Sequence, residues 1–465
     1  MKKELSIWLA LIPMLALIGS ATASIFIWKA GMHIPLLIGV LAGAIVAIAR
    51  GWSWHEVEKM MVNGVARALP AVFILLIIGI IVGTWIASGV IPTIIYYGLS
   101  IMKPSLFVPL VALVTGIVSI TLGSSFISIA TIGLAFMVIG EGLGFSPGLV
   151  AGAVISGAYF GDKLSPVSDT TNIAPVMADT DLFSHIKHML WDTIPAFAIA
   201  ILMYWVAGLF GATNSTVSTE NIDIITHALQ GAFTIHPLLL LMPLLTIYLM
   251  IKRAPAIPAL IGVSLLGGLL AVIFQGISVT EIVKVMTNGF SVTTEIEAVD
   301  SLLNQGGLMS MLGTVALLII ATAFGGILEE TGAFNVLTGK IMEKVRSTGM
   351  LISSTILSTF VVAFASGAQF LAIILPARTF TKKYKDMGID TKNLSRSVEA
   401  AGTVGINLVP WSVPVVFAVG ILGVSPGEFI PYSFFVFLVP LINIIFGFTG
   451  WTITKKKYDK GDIAA

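Results

Sequence analysis

The sequence predicts an all-α polytopic membrane protein built from two inverted-topology repeats, each with five spanning helices, one of them broken, and a re-entrant hairpin. Three observations lead to this prediction. The 465 residues are 57% hydrophobic and only 11% charged, whereas soluble domains contain about 25% charged residues. The second half of the chain repeats the pattern of the first half. Polar, proline-containing stretches also interrupt two apolar segments, and such backbone is tolerated in a bilayer only inside protein or beside a wet cavity.

The first half, residues 1–211, begins with apolar runs that are long enough to span a bilayer. These runs are 5–28, 34–49 and 68–90. Residues 51–67 mix Trp and Met with charged side chains at helical spacing, which predicts a short separate helix at the membrane interface. Residues 106–140 are too long for one helix and are interrupted by Gly123-Ser124-Ser125, so we expect a re-entrant hairpin with its tip near Gly123.

The most unusual stretch is SGAYFGDKLSPVSDTTN, residues 156–172, which lies between long apolar segments. It contains two aspartates, a lysine and a helix-breaking proline, so residues 147–178 are predicted to form a helix broken between 161 and 169. Ionisable groups at membrane depth are costly and are functional candidates by default. A further span, 189–210, closes the first half.

Residues 212–236 are predicted to be an external linker, followed by the second repeat at 237–454 and a tail at 455–465. The clearest register is between GWSWHEVEKMMVNG, from residue 51, and GISVTEIVKVMTNG, from residue 276, which are identical at seven of fourteen positions. A hairpin is expected at 351–379 and a second broken helix from Leu394. In this register Asn407 corresponds to Asp162. A repeat of this length indicates duplicated architecture.

Five crossings in each half is an odd number, so the halves must be inverted relative to each other. With both termini in the cytoplasm, this topology places 20 of the 25 Lys and Arg residues on the cytoplasmic side, as the positive-inside rule requires. Inverted repeats with paired broken helices are typical of secondary transporters, whose substrates bind where the breaks meet.

The candidate ion- or substrate-binding side chains are polar groups at the breaks and hairpin tips. They are Asp162, Lys163, Ser165, Ser168, Asp169, Thr170, Thr171, Asn172, Ser124, Ser125, Gln369 and Asn407. A Na⁺ ion is expected at Asp162, Asp169 and Asn172. Each group also has a structural interpretation: an Asp162–Lys163 ion pair bracing the kink, a cap around Asp169 that restarts the helix, or small polar residues that pack helices.

Two glutamates are candidates for proton coupling. Glu329 could carry a proton within the membrane or be solvated at its edge, and Glu399 could do the same or form a structural salt bridge with Arg396 or Arg378. The connection before the last span of the first half carries two histidines, His185 and His188. We expect solvated or capping roles for them, with pH sensing as the alternative.

Several of these segments resemble the NhaC family of sodium/proton antiporters. The longest is GAYFGDKLSPVSDTTNIAP, residues 157–175, followed by DLFSHIKHM from 181, GGILEETG from 325, LPARTF from 375 and NLSRSVE from 393. The resemblance covers nearly the whole chain. It implies a bacterial inner-membrane antiporter that exchanges Na⁺ for H⁺ or, in some relatives, couples both ions to malate and lactate. It also implies a transport domain that moves against a scaffold.

The chain departs from the family pattern in its second half. Gly367-Ala368-Gln369 and Ala400-Ala401 stand where the family carries acids, and Pro410-Trp411-Ser412-Val413-Pro414 replaces a more polar element. The expected function, implied by the resemblance, is Na⁺/H⁺ antiport by alternating access. The more apolar second half favours, as the alternative, a Na⁺- or H⁺-coupled carrier of an organic or amino acid, and a channel is less favoured.

The remaining expectations follow from what the sequence lacks. It has no cysteine and no H-E-x-x-H or G-x-S-x-G element, so neither an enzyme nor a cofactor is predicted. No basic run is interleaved with aromatic residues, so nucleic acid is not an expected partner. The expected partners are the lipid bilayer, Na⁺, H⁺ and in the alternative a small organic solute, with a homodimer left open.

Overall fold

The computed structural model describes residues 5–28, 30–101, 104–166, 168–211, 219–252, 254–293, 300, 303–342 and 345–456. Throughout these ranges the regular structure is helical, apart from one isolated bridge between Ile389 and Lys455. The helices of the first half are α1 Ile7–Phe26, α2 His33–Ala49, α3 Trp54–Ala87, α4 Val90–Ile101, α5 Pro104–Leu122, α6 Ser125–Ser128, α7 Leu134–Gly142, α8 Pro147–Leu164, α9 Asp169–Met177 and α10 Leu182–Gly211. A π-helical turn, Ile129–Gly133, joins α6 to α7.

The later helices are α11 Thr219–Ala232, α12 Leu241–Ile251, α13 Ala256–Gln275, α14 Val279–Asn288, α15 Leu312–Glu330, α16 Ala333–Met342, α17 Thr348–Ser366, α18 Gln369–Asp386, α19 Lys392–Glu399, α20 Val413–Leu422, α21 Pro426–Phe429 and α22 Phe434–Thr449. Short 3₁₀ turns precede α12 and α15 and link α21 to α22.

Seven described helices are long and apolar enough to cross a membrane, and ten spans result when each of three bent pairs is counted as one. The prediction of an all-α polytopic membrane protein is confirmed. The inversion of the two halves and the depth of the hairpins in the bilayer stay predictions.

Two helical hairpins turn where the sequence places their tips. The first joins α5 to α6 through Gly123, and the second joins α17 to α18 through Gly367. Both glycines have a left-handed backbone, with φ of +67° and +62°. Residues with a Cβ rarely adopt this conformation, so a glycine ends the first arm of each hairpin.

Two helices are broken, as the sequence predicts. The first break separates α8 from α9 at residues 165–168 and contains Pro166. In the second, α19 continues as a π-helical turn, Ala400–Val404, and a 3₁₀ turn, Gly405–Leu408, before α20 starts after a 46° bend. Each break frees backbone groups for interactions other than those of a regular helix.

The prediction of a separate interfacial helix at residues 51–67 is wrong. Helix α3 starts at a capping box of Ser53 and Glu56 and continues from Trp54 to Ala87, through Pro70, without a break. In the second half the matching segment is a separate helix, α14, which ends where Gly289 adopts a φ of +94°.

The predicted linker at 212–236 is helical over much of its length. Helix α11 occupies Thr219–Ala232 and is followed by Phe233, which is buried in the main hydrophobic core. Residues 212–218, 294–299 and 301–302 lie outside the described ranges.

The first broken helix packs tightly against the first hairpin. A Cβ atom added to Gly157 would lie 2.2 Å from the Ala112 carbonyl oxygen, and one on Gly161 would lie 2.4 Å from the Gly116 carbonyl oxygen. Only glycine allows this approach of α8 to α5. It brings the last turn of α8 beside the hairpin tip, where the candidate site begins.

Candidate functional site

Asp162 lies in the last turn of α8 and is only 5% exposed. The Ser125 hydroxyl, at the tip of the first hairpin, donates a hydrogen bond of 2.7 Å to its carboxylate. Ser124 has a different role, because its side chain caps α6 by accepting from the amide of Ile127. The structure therefore joins the hairpin tip to the first break through one predicted pair, Ser125 and Asp162.

Two predicted site residues stabilise the break itself. The Thr171 hydroxyl donates to the carbonyl oxygens of Asp162 and Lys163 at 3.1 and 3.2 Å. The Asn172 amide donates to the carbonyl oxygens of Pro166 and Ser168 at 2.9 and 2.7 Å. These bonds link α9 to carbonyl oxygens at the end of α8 and in the break.

The three residues expected to hold Na⁺ do not share one set of contacts. Asp162 is buried against Ser125, the Asn172 amide is bonded inside the break, and Asp169 is exposed at the first position of α9. Beside Asp169, the hydroxyls of Ser168 and Thr170 are buried and lie 3.1 Å apart. The geometry thus favours Asp162 over Asp169 as the buried anion.

Lys163 pairs with Asp192, so the predicted Asp162–Lys163 ion pair is wrong. The Lys163 Nζ atom lies 3.1 and 3.0 Å from the two carboxylate oxygens of Asp192, and both side chains are fully buried. Adjacent residues on an α-helix point about 100° apart, since 3.6 residues make one turn. Lys163 therefore faces α10 while Asp162 faces the hairpin tip.

Asp192 was not predicted, although an acid inside an apolar span is itself a signal of function. Besides Lys163 it accepts hydrogen bonds from Thr193, at 3.1 Å, and from the Asn443 amide on α22, at 2.5 Å. Asn443 in turn accepts from Arg396 Nε on α19, at 3.3 Å. A buried polar network therefore crosses from α8 through α10 and α22 to α19.

Glu399 is fully buried at the end of α19, and neither of its carboxylate oxygens has a hydrogen-bond partner within the described structure. The expected salt bridge with Arg396 or Arg378 is not formed. The Arg396 guanidinium instead bonds Asn443 and the Thr452 hydroxyl and lies over the Phe446 ring. The hydroxyls of Thr170 and Thr403 are near Glu399, and Asp162 is within electrostatic range of it.

Several other buried oxygen atoms between the two breaks also have no hydrogen-bond partner in the described ranges. They are Tyr159 Oη, Ser165 Oγ, Thr403 Oγ1 and Asn407 Oδ1. Tyr159, on α8, lies beside both Ser125 and Asn407, so it joins the first half to the second. The Gln369 amide, at the second hairpin tip, donates to the Thr403 carbonyl at 3.3 Å.

Unsatisfied buried polar atoms are costly, and a group of oxygens is suited to a hard cation or to a ligand that donates hydrogen bonds. The candidate site therefore lies where the two broken helices meet, with Asp162 on one side and Glu399 on the other.

The remaining predicted residues lie elsewhere. Glu329 forms a salt bridge with Arg67 between α15 and α3, in a partly exposed position. His185 and His188 are buried, so the expected solvated role is wrong. Their rings hydrogen bond Ser395 at 2.7 Å and Asn393 at 3.1 Å, because the start of α10 packs against α19.

Comparison with known proteins agrees with this architecture. A model of the Na⁺/H⁺ antiporter family matches residues 157–451, which include both breaks and the second hairpin. The chain belongs to the Na⁺/H⁺ antiporter family. Because the members of this family are antiporters, the protein is a membrane transporter and not an enzyme.

Three relatives cover nearly all of this antiporter-family chain. The Na⁺/H⁺ antiporter NhaC of Alkalihalophilus pseudofirmus is 38% identical over 98% of this chain and 98% of its own length. The malate-2H⁺/Na⁺-lactate antiporter of Bacillus subtilis is 35% identical over 90% and 89%. The arginine/ornithine antiporter ArcD of Halobacterium salinarum is 34% identical over 98% and 94%. These relatives thus include exchangers of ions and of organic solutes.

Proposed function

We propose that this chain exchanges Na⁺ for H⁺ across a bacterial inner membrane, at the site between the two broken helices. The observation that carries the proposal is the pair of buried carboxylates, Asp162 and Glu399, which come from opposite halves. A buried carboxylate without a cation partner is unfavourable. Either Na⁺ or H⁺ relieves this cost, and two cations that compete for the same carboxylates are the basis of exchange.

The hydroxyl and amide oxygens around these carboxylates fit the same role. Ser125 already donates to Asp162, while Tyr159, Thr403 and Asn407 have oxygens without partners. We assign Asp162 and Glu399 to cation binding, and these neighbours to coordination. We assign Asp169, which is exposed at the start of α9, to the entry path to the site.

For the transport cycle we propose two inverted halves, residues 1–211 and 237–454, with both termini in the cytoplasm. Inverted halves have two equivalent arrangements that open one central site to opposite sides of the membrane. In an elevator-like cycle the hairpins and broken helices would move together, which the tight packing of α8 on α5 supports. A homodimer would supply the fixed scaffold surface.

The proposal is tested in proteoliposomes that contain a pH-sensitive dye. An imposed Na⁺ gradient should drive proton movement with the native chain, whereas Asp162→Asn and Glu399→Gln should reduce it to the level of empty liposomes without loss of folded protein. Asp179→Asn is the matched control, since this exposed aspartate pairs with Lys385 outside the site. Absence of any Na⁺-dependent pH change with folded native protein would overturn the proposal.

A second candidate is exchange of a small organic solute coupled to Na⁺ or H⁺. Two observations favour it: relatives that match about nine tenths of the chain or more exchange malate and lactate or arginine and ornithine, and the site offers hydrogen-bonding groups beyond its two carboxylates. Thermal stabilisation of the purified protein should be measured with these four solutes, each with and without Na⁺. Stabilisation by one of them, together with saturable uptake, would support this function, and no response to all four would count against it.

A further inference from the structure

Five acidic or basic side chains other than histidine are buried in the described ranges. They are Asp162, Lys163, Asp192, Arg396 and Glu399. With three acids and two bases in their usual ionisation states, their sum is 2 − 3, a net charge of −1. A net buried charge is unfavourable in a membrane protein, so one additional monovalent cation neutralises the group.

The hydrogen bonds decide where this excess charge lies. Asp192 uses both oxygens to hold Lys163 and also accepts from Thr193 and Asn443. Its charge is therefore fully compensated. Glu399 has neither a hydrogen bond nor an ion pair with a described residue, although Lys163 is within electrostatic range of it. The lysine thus has two buried anions within its influence and is bound to only one.

We propose that Asp192 is a positioning residue that holds Lys163 away from Glu399, so that the excess negative charge at Asp162 and Glu399 stays available for one transported monovalent cation. This inference rests on the proposed cation exchange at the same site. Asn443 contributes from α22 by fixing Asp192. In this arrangement Lys163 is a resident counter-charge that determines how many cations the site takes.

Neutralising Asp192 should shift the pairing of Lys163 from Asp192 to Glu399. Lys163 would become a buried cation without its partner, and pairing with Glu399 is its most favourable alternative, because an unpaired buried charge is strongly destabilising. The buried set would then sum to zero and Glu399 would be occupied by a side chain of the protein itself. Na⁺ would have to displace that side chain in order to bind.

The first test is Asp192→Asn in proteoliposomes and in detergent. We expect the KM for Na⁺ to rise at least about tenfold, which corresponds to a loss of about 1.4 kcal/mol of binding free energy. The change in kcat should be smaller. Stabilisation of the purified protein by Na⁺ alone should shift to correspondingly higher concentration. Thr193→Val, which removes one hydrogen bond to Asp192, should shift both measurements less and in the same direction.

The decisive variant is the double substitution Asp192→Asn with Lys163→Met. It leaves Asp162, Glu399 and Arg396, whose sum of 1 − 2 restores the native −1. We expect its KM for Na⁺ to return to within about threefold of the native value, since the competing amine is gone. If the Lys163–Asp192 ion pair only stabilises the fold, the opposite result is expected. The double variant lacks both partners and would then be at least as impaired as Asp192→Asn.

The outcomes separate this inference from the proposed function. If the native protein shows neither Na⁺-driven proton movement nor stabilisation by Na⁺, the proposed function fails. If the native protein responds but Asp192→Asn keeps the native KM, or the folded double variant remains tenfold weaker for Na⁺, the positioning role is overturned. If Asp192→Asn alone does not fold, the double variant and Thr193→Val decide. Asp179→Asn should match the native protein throughout.

Discussion

The contact between α8 and α5 can be tested by adding one methyl group at Gly157. This glycine lies in the interior of α8, five residues before Asp162. A Cβ atom here would be 2.2 Å from the Ala112 carbonyl oxygen and 2.9 Å from the Thr115 Cβ atom. Neither atom can rotate away, so Gly157→Ala must push the two helices apart.

The expected change in stability depends on the cost of overpacking the contact and on the gain in helix propensity from glycine to alanine. Overpacking a tight contact costs about 1 to 3 kcal/mol of stability, and the upper end applies because backbone atoms are in the way. Gly262→Ala is the matched control, since Gly262 lies inside α13 with nothing within 4 Å of an added Cβ atom. That variant should gain about 0.5 to 1 kcal/mol from helix propensity. Gly157→Ala gains the same propensity term, which therefore cancels, and the two variants should differ by the overpacking cost of about 1 to 3 kcal/mol.

The measurement is thermal unfolding of both variants in the same detergent, followed by Na⁺-driven proton movement in liposomes. Gly157→Ala should melt several degrees below the native protein and lose transport, because the Ser125–Asp162 contact depends on this packing. Gly262→Ala should melt at or above the native temperature with transport retained. Equal stability of the two variants would refute the close approach of α8 to α5.

Three further predictions concern single side chains. Thr171→Val should destabilise the purified protein by about 1 to 3 kcal/mol in thermal unfolding, because the Lys163 carbonyl oxygen loses its hydroxyl donor and the Asp162 carbonyl oxygen keeps only the Ser165 amide; an unchanged melting temperature would contradict the bonds assigned to this hydroxyl. Asp169→Asn should raise the KM for Na⁺ less than about threefold, and complete loss of transport would move this exposed residue into the binding site. Glu329→Gln should keep Na⁺-driven proton movement within about twofold, since Glu329 only forms a partly exposed salt bridge with Arg67; abolished transport would make it a proton carrier.

Much of the fold could be predicted from local signals in the sequence. Glycine at positions 123 and 367 ends a helix because it accepts a left-handed backbone, and Pro166 marks the first break because it has no amide donor. The continuity of α3 was missed, since the charged face of residues 51–67 suggested an interfacial helix. That face does not interrupt backbone hydrogen bonding, so the helix continues into the next apolar run.

The partners within the site could be predicted less well. The sequence places Asp162 at the break and Ser125 at the hairpin tip, and the structure brings them together. Lys163 follows Asp162 directly, but its partner, Asp192, lies 29 positions later and is fixed by Asn443, a further 251 positions along. Such pairings depend on how α8, α10 and α22 pack, and no local pattern encodes this.

The two halves also differ less in charge at the site than their motifs suggest. The second half has alanines where family resemblance leads one to expect acids, and Asn407 stands opposite Asp162 in the repeat. Glu399 nevertheless enters the site from the end of α19, before the second break, and is buried within electrostatic range of Asp162. Each half therefore supplies one carboxylate. Because the two broken helices are proposed to move together during transport, Asp162 and Glu399 stay close through the cycle, and the pair can hold either a Na⁺ ion or protons.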